Sequence, residues 1–145
     1  MVYQFKKPSR KKSKLETPEE IKIEEVEEKV GLIQGQLPRS MEEWFTARAL
    51  WALKLFFIYQ YQLFGGTMLR GGYVIDFLVK SAPKWIPLEV QSARWHLGKF
   101  GSNERFRIAR IERELGTKVR FVWEDQLTNL GDAISAVRKA IYGAG

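Results

Sequence analysis

The chain has no cysteine. That excludes disulfides and thiolate metal sites, and it fits a reducing compartment. An apolar leader is also missing: Met1 to Lys14 lacks the hydrophobic region of a signal peptide. The most apolar stretch, Leu50 to Phe64, is broken by Lys54, Gln60 and Gln62 and is too short to span a membrane. No G-x-x-x-x-G-K-[ST] phosphate loop occurs, and the glycine pairs Gly65-Gly66 and Gly71-Gly72 precede no helix. Histidine is almost absent, with His96 alone. These absences lead us to expect a soluble, cytoplasmic protein with no membrane partner.

What is present suits one domain with a real core. At 145 residues, 45% hydrophobic and 13% aromatic, the composition is globular, and folding at this size buries roughly two-thirds of the surface. Net charge is +7 with pI near 9.7, so phosphate-bearing partners are plausible. Residues 1–29 hold eight basic and seven acidic side chains, leaving 16 Lys/Arg against 10 Asp/Glu in the remainder. The excess therefore belongs to the folded part. The start divides into a basic run, Lys6 to Lys14, and an acidic run, Glu16 to Glu28. Such blocks read as a mobile charged arm over 1–36, with a short helix over 18–29 begun by Thr17, Pro18 and Glu20. The arm is either a solvated terminus or a docking segment for nucleic acid or another partner.

The folded domain, 37–145, starts after a linker, Gly31 to Pro38. Ser40 and Glu43 form a capping box ahead of a helix to about Phe56, with Trp44, Ala47, Trp51, Leu55 and Ile58 on one stripe. Phe57 to Phe64 alternates as a strand. Ser102 to Leu115 is a helix with Phe106, Ile108, Ile111 and Leu115 available for burial and Gly116 as its stop. A strand over Val119 to Trp123 and a helix over Asn129 to Tyr142 complete an α/β order, in which the last strand returns by a crossover, parallel to the one before.

The centre of the chain is Gly71 to Val79 and Trp85 to Gln91, two β-branched or aromatic runs around Ser81-Ala82-Pro83-Lys84. That pattern is a hairpin. If the four break residues form the loop, Lys80 faces Trp85 and Asp76 falls opposite Glu89, with Gln91 on the same face. Like charges directly across two strands are destabilising. A chain accepts them when a cation is to sit between, and a hard divalent ion such as Mg²⁺ takes such oxygens. Glu43, beside the inward face of the first helix, is sufficiently explained as the capping-box partner. His96 follows the second strand of the hairpin closely enough to act as a proton donor or phosphate contact, or is simply structural. Arg70, Arg94, Lys99 and Arg105 flank the region as candidate contacts to backbone phosphates.

Gly71-Gly72 with Asp76-Phe77, then Glu89-Val90-Gln91, Trp95-His96, the arginine-rich helix ending Leu115-Gly116, and Val119-Arg120-Phe121-Val122-Trp123-Glu124 together resemble the PD-(D/E)XK nuclease superfamily. The likeness is to its small branch of mismatch-repair-type and phage-encoded endonucleases. It covers Ser40 to Tyr142. The resemblance implies a restriction-endonuclease-like three-layer sandwich, a central mixed sheet flanked by helices, and Mg²⁺- or Mn²⁺-dependent hydrolysis of DNA. It implies that Asp76, Glu89 and the Val90 carbonyl bind the metal and that Glu43 is an auxiliary ligand. Gln91 stands where the family most often has lysine. A catalytically weak nuclease-fold module for DNA binding or assembly is therefore the alternative. Double-strand cleavage by a single-site domain needs two copies or two events, so a homodimer is one solution.

Overall fold

Ser40 sets the start of the first helix. Its backbone is extended and its hydroxyl accepts from the Glu43 amide at 3.0 Å, so α1 runs Met41–Ala52. The structure, a computed structural model, describes residues 31–66, 70–92 and 101–143. The expected helix over 18–29 lies outside them. Chain contacts divide the sequence into two compact units, Met1–Leu37 and Pro38–Gly145. In the first, the expected linker contains a tight turn: Ile33 and Gln36 exchange backbone hydrogen bonds of 2.7 and 2.9 Å around Gln34 and Gly35, both at positive φ.

Helix α1 stops four residues short of the expected end. Leu53 caps it, Lys54 turns left-handed at φ 62°, and the amides of Lys54 and Leu55 bond back to the Trp51 and Leu50 carbonyls. That is a Schellman stop with lysine where glycine is usual. Burial is also wider than the expected stripe: Glu43, Trp44, Thr46, Ala47, Ala49 and Leu50 are buried, whereas Trp51 is half-buried.

Strands β1 (Phe57–Leu63), β2 (Tyr73–Ser81), β3 (Lys84–Gln91) and β4 (Arg120–Trp123) form one sheet in that order. The first two pairings are antiparallel and β3–β4 is parallel, as the crossover through α2 (Ser102–Leu115) demands. The expected Lys80–Trp85 pair is present. Ser81 also pairs with Lys84, so the loop is two residues, Ala82-Pro83, rather than four. The register is unaffected.

Alternation along the strands supplies the core. Ile75, Phe77, Val79, Ile86 and Leu88 are all buried, each such side chain contributing about 1.5–3 kcal/mol. The Phe77 ring lies 5.5 Å from Phe57 and 5.1 Å from Tyr59. Ile75 packs with Leu63, Ile111 and Val119. Helix α3 (Leu130–Tyr142), capped by the Asn129 side chain accepting from the Asp132 amide, packs on α1 and β4. Helix α2 ends at Gly116, left-handed at φ 71° and bonded to the Glu112 carbonyl. Phe106 does not enter the core; it is 63% exposed. Ile108, Ile111 and Leu115 define the packed stripe, and Phe106 lies two residues, some 200° of helix rotation, away from Ile108. Among the described residues the result is a mixed α/β domain with a four-stranded sheet and three α-helices. Among the described residues, no helix is long and apolar enough to cross a membrane.

Candidate active site at the parted end of the hairpin

The β2–β3 ladder ends at Phe77–Leu88. One step further, where Asp76 and Glu89 would pair, the backbones stop bonding to each other. Carboxylates take over as acceptors. The Val90 amide donates to Asp76 Oδ2 at 2.9 Å, and the Asp76 amide points to Glu89 Oε2 at 3.4 Å. A buried amide needs an acceptor, so each carboxylate serves the opposite strand as its peptide carbonyl would have. The expected juxtaposition is present, and it is made by the parting of the strands.

Strand β1 is interrupted at the same level. Tyr59–Phe77 and Tyr61–Ile75 are paired, but Gln60, facing Asp76 between them, is not. Gln60 has φ 56°, a left-handed conformation that costs a side-chain-bearing residue about 1–3 kcal/mol. Its amide nitrogen reaches Asp76 Oδ1 at 3.5 Å, and its oxygen accepts from Arg39 Nη1 at 3.2 Å.

Three carboxyl groups share this place. Glu89 is 4% exposed, Glu43 9%, and Asp76 is half-buried. Glu43 departs from its expected role. Ser40 does cap the Glu43 amide, but the Glu43 carboxylate accepts from the buried Tyr59 hydroxyl, which in turn accepts from the Arg39 amide at 3.1 Å. The half of the capping box that needed the Glu43 side chain is thus spent on strand β1. Burial raises the Glu43 pKa, the Tyr59 bond opposes the rise, and the Asp76 charge adds to it. Burial and the bond to Glu43 likewise raise the Tyr59 hydroxyl. Asp76 is raised by burial, against the pull of the Val90 amide and Arg107. Glu89 is pushed up to about 7, first by burial and then by the Asp76 charge. These are the signatures of like charges crowded into a low-dielectric site.

The positive charge comes from Arg107 on α2. Its Nη2 donates to Glu89 Oε1 and Oε2 at 3.2 and 3.1 Å and to the Val74 carbonyl at 2.9 Å, while Nη1 bonds Glu104 Oε2 at 3.1 Å. Its guanidinium also lies 5.6 Å from the Tyr73 ring centre. In sequence the α2 arginines register only as an arginine-rich helix. The available signal was phase: Arg107 is adjacent to Ile108 and four before Ile111, with Glu104 one turn earlier. Tyr59, Gln60 and Arg39 were likewise not singled out. Tyr59 could have been read from its alternation with Phe57 toward the core, as a ring with a polar tip needing a partner.

Of the expected residues, the fold brings together Glu43, Asp76 and Glu89, with the Val90 amide among them and Gln91 half-buried two residues along β3. Arg70 and Arg105 are exposed. His96, Arg94 and Lys99 lie outside the described residues. Among those described, no cluster of three or more His, Asp or Glu side chains is arranged to hold a metal ion. Mg²⁺ asks less of a protein: one or two carboxylates, completed by water and substrate phosphate. The hard oxygen donors of Asp76 and Glu89, side by side and both raised in pKa by burial, with the Asp76 charge adding to the rise at Glu89, fit that demand. No protein-family model, no curated protein and no solved structure matches this chain.

Proposed function

We propose that this protein is a metal-dependent DNA endonuclease built on a restriction-endonuclease-like three-layer sandwich, hydrolysing phosphodiesters with activated water. The observation that carries the reading is the parted hairpin end, where half-buried Asp76 and buried Glu89 replace a ladder pair and stand beside each other. The order of elements agrees: a helix bearing Glu43, three antiparallel strands, a crossover helix and a parallel fourth strand. Asp76 and Glu89, with the Val90 carbonyl, are the groups that would hold Mg²⁺ or Mn²⁺. A bound ion there supplies Lewis acidity, acidifying a water and offsetting charge on the phosphodiester. The residues' own parts differ. Asp76 is oriented by Val90 and Gln60, Glu89 by Arg107, and Glu43 with Tyr59 borders the pair as a further acid–base couple. Gln91 can orient a water and carries no charge. The net positive surface and the exposed Arg70 and Arg105 suit a polyphosphate partner.

A second reading keeps the fold and loses the chemistry: a DNA-binding or assembly module. Glu89 has both oxygens engaged by Arg107, and the motif lysine is replaced by Gln91, which favours weak turnover. One panel separates the two. Nicked, branched, mismatched, single-stranded and duplex DNA are incubated with Mg²⁺, Mn²⁺ or chelator. The nuclease reading expects metal-dependent cleavage that falls about a thousandfold in Asp76→Ala and Glu89→Ala, the rate equivalent of several kcal/mol of lost charge stabilisation. Salt-sensitive binding without turnover on any substrate leaves the module.

A further inference from the structure

Glu89 is the most buried acid described, and it is held at both oxygens by one arginine nitrogen. Arg107 is itself placed from three sides. The Val74 carbonyl and Glu104 take its other hydrogen bonds, and its guanidinium lies over the Tyr73 ring at 5.6 Å from the ring centre. A second arginine, Arg110, packs over Phe64 at 4.3 Å and near Tyr73 at 5.7 Å, so Tyr73 lies between two guanidinium groups. A charge this organised beside a buried carboxylate acts on whatever else that carboxylate binds. Two cations cannot both take the same oxygens at full strength, because like charges at contact repel in a site screened from water.

We propose that Arg107 is a positioning residue acting through Glu89: it fixes the carboxylate in place and competes with a divalent cation for its oxygens, so that it sets the metal affinity of the site. The proposal rests on the metal-site reading above and deepens it. Arg107 keeps Glu89 compatible with burial when no metal is bound. On metal entry its Nη2 bonds to Glu89 must lengthen, while its bonds to Val74 and Glu104 keep the guanidinium nearby. The site would thus be weak for metal by construction, with the arginine retained at its rim.

The test is equilibrium binding of Mn²⁺ by the full chain without DNA, measured by calorimetry for the wild type, Arg107→Gln, Arg107→Lys and Asp76→Asn. Removing a charge-assisted competitor should tighten Mn²⁺ binding at least about fivefold in Arg107→Gln. Arg107→Lys, which keeps charge without the planar fork, should fall between. Melting temperatures in chelator and in Mn²⁺ give a second readout. Arg107→Gln should melt lower in chelator and gain more on adding Mn²⁺ than the wild type does. A residue with a merely structural role would lower both melting temperatures together. If Mn²⁺ binding depends on Asp76 but is unchanged or weaker in Arg107→Gln and Arg107→Lys, competition is wrong while the metal site stands. If no Asp76-dependent binding is found in any of the proteins, the metal site and the competition both fall.

Discussion

The two ends of the β2–β3 hairpin use the same strands for opposite purposes. At the turn end the ladder is complete from Phe77–Leu88 to Ser81–Lys84, and Phe77, Val79, Ile86 and Leu88 are buried. At the other end the ladder stops, and two raised carboxylates accept the backbone amides. The closed end stabilises the fold through apolar burial and regular pairing. The parted end costs stability, because it holds charge where water is scarce. In the metal site proposed above, affinity for a cation would arise from that cost: whatever neutralises the acids is bound by as much as it relieves them.

The contrast can be broken from either side. The largest effect on stability should come from the closed end. Phe77→Ala removes a fully buried ring that packs on Phe57 and Tyr59. It should destabilise by about 3–5 kcal/mol in chemical denaturation. A loss under 1 kcal/mol would mean that the hairpin is not the core of the domain.

At the parted end stability depends on pH. Asp76 and Glu89 have folded-state pKa values raised above their ordinary ones of 3.8 and 4.5. The native state therefore holds protons that the unfolded chain has already released. The corresponding stability is fully present below the ordinary values and is lost as pH rises from there through about 7. In chelator, urea titrations should show stability falling with pH across that window, by no more than about 1.4 kcal/mol per pH unit for each proton concerned. Asp76→Asn should flatten the slope, since it removes one acid and relieves the other while keeping an acceptor for the Val90 amide. A slope of opposite sign that Asp76→Asn leaves unchanged would remove the strain from this end of the hairpin.

The smallest effect belongs to the surface of the closed end. Lys80 lies 5.8 Å from the Trp85 ring centre and is exposed. Lys80→Ala should change stability by no more than about 1 kcal/mol, the range of an exposed cation–π contact, with no change in any metal- or pH-dependent property.

How much of this was legible in sequence follows from range. A hairpin's register is settled by the residues nearest its turn, so the facing of Asp76 and Glu89 could be counted out from Lys80 and Trp85, even though the loop proved shorter. The Ser40 cap, the Gly116 stop and the parallel return to β4 are also local or topological rules. The end of α1 was missed because Lys54 takes a conformation that its residue type disfavours. Glu43 was assigned to its neighbour Ser40, while Tyr59, sixteen residues away, holds its carboxylate. The Arg107–Glu89 pair depends on how α2 lies across the sheet, and local patterning in α2 carries no label for its partner on β3. The elements and the two acids were readable. The groups that hold those acids were set by tertiary packing.

Gln60 gives position 60 a very small alphabet. Its φ of 56° admits glycine freely and asparagine or aspartate at modest cost. Glycine would lose both amide contacts. Aspartate would add another acid beside Asp76. Asparagine satisfies the backbone but is one methylene short of a side chain that meets Arg39 on one side and Asp76 on the other. Backbone shape and side-chain reach therefore pull toward different residues, and glutamine is the compromise that keeps reach at the expense of shape. Strand β1 is thus a lining of the site as well as the rim of the sheet.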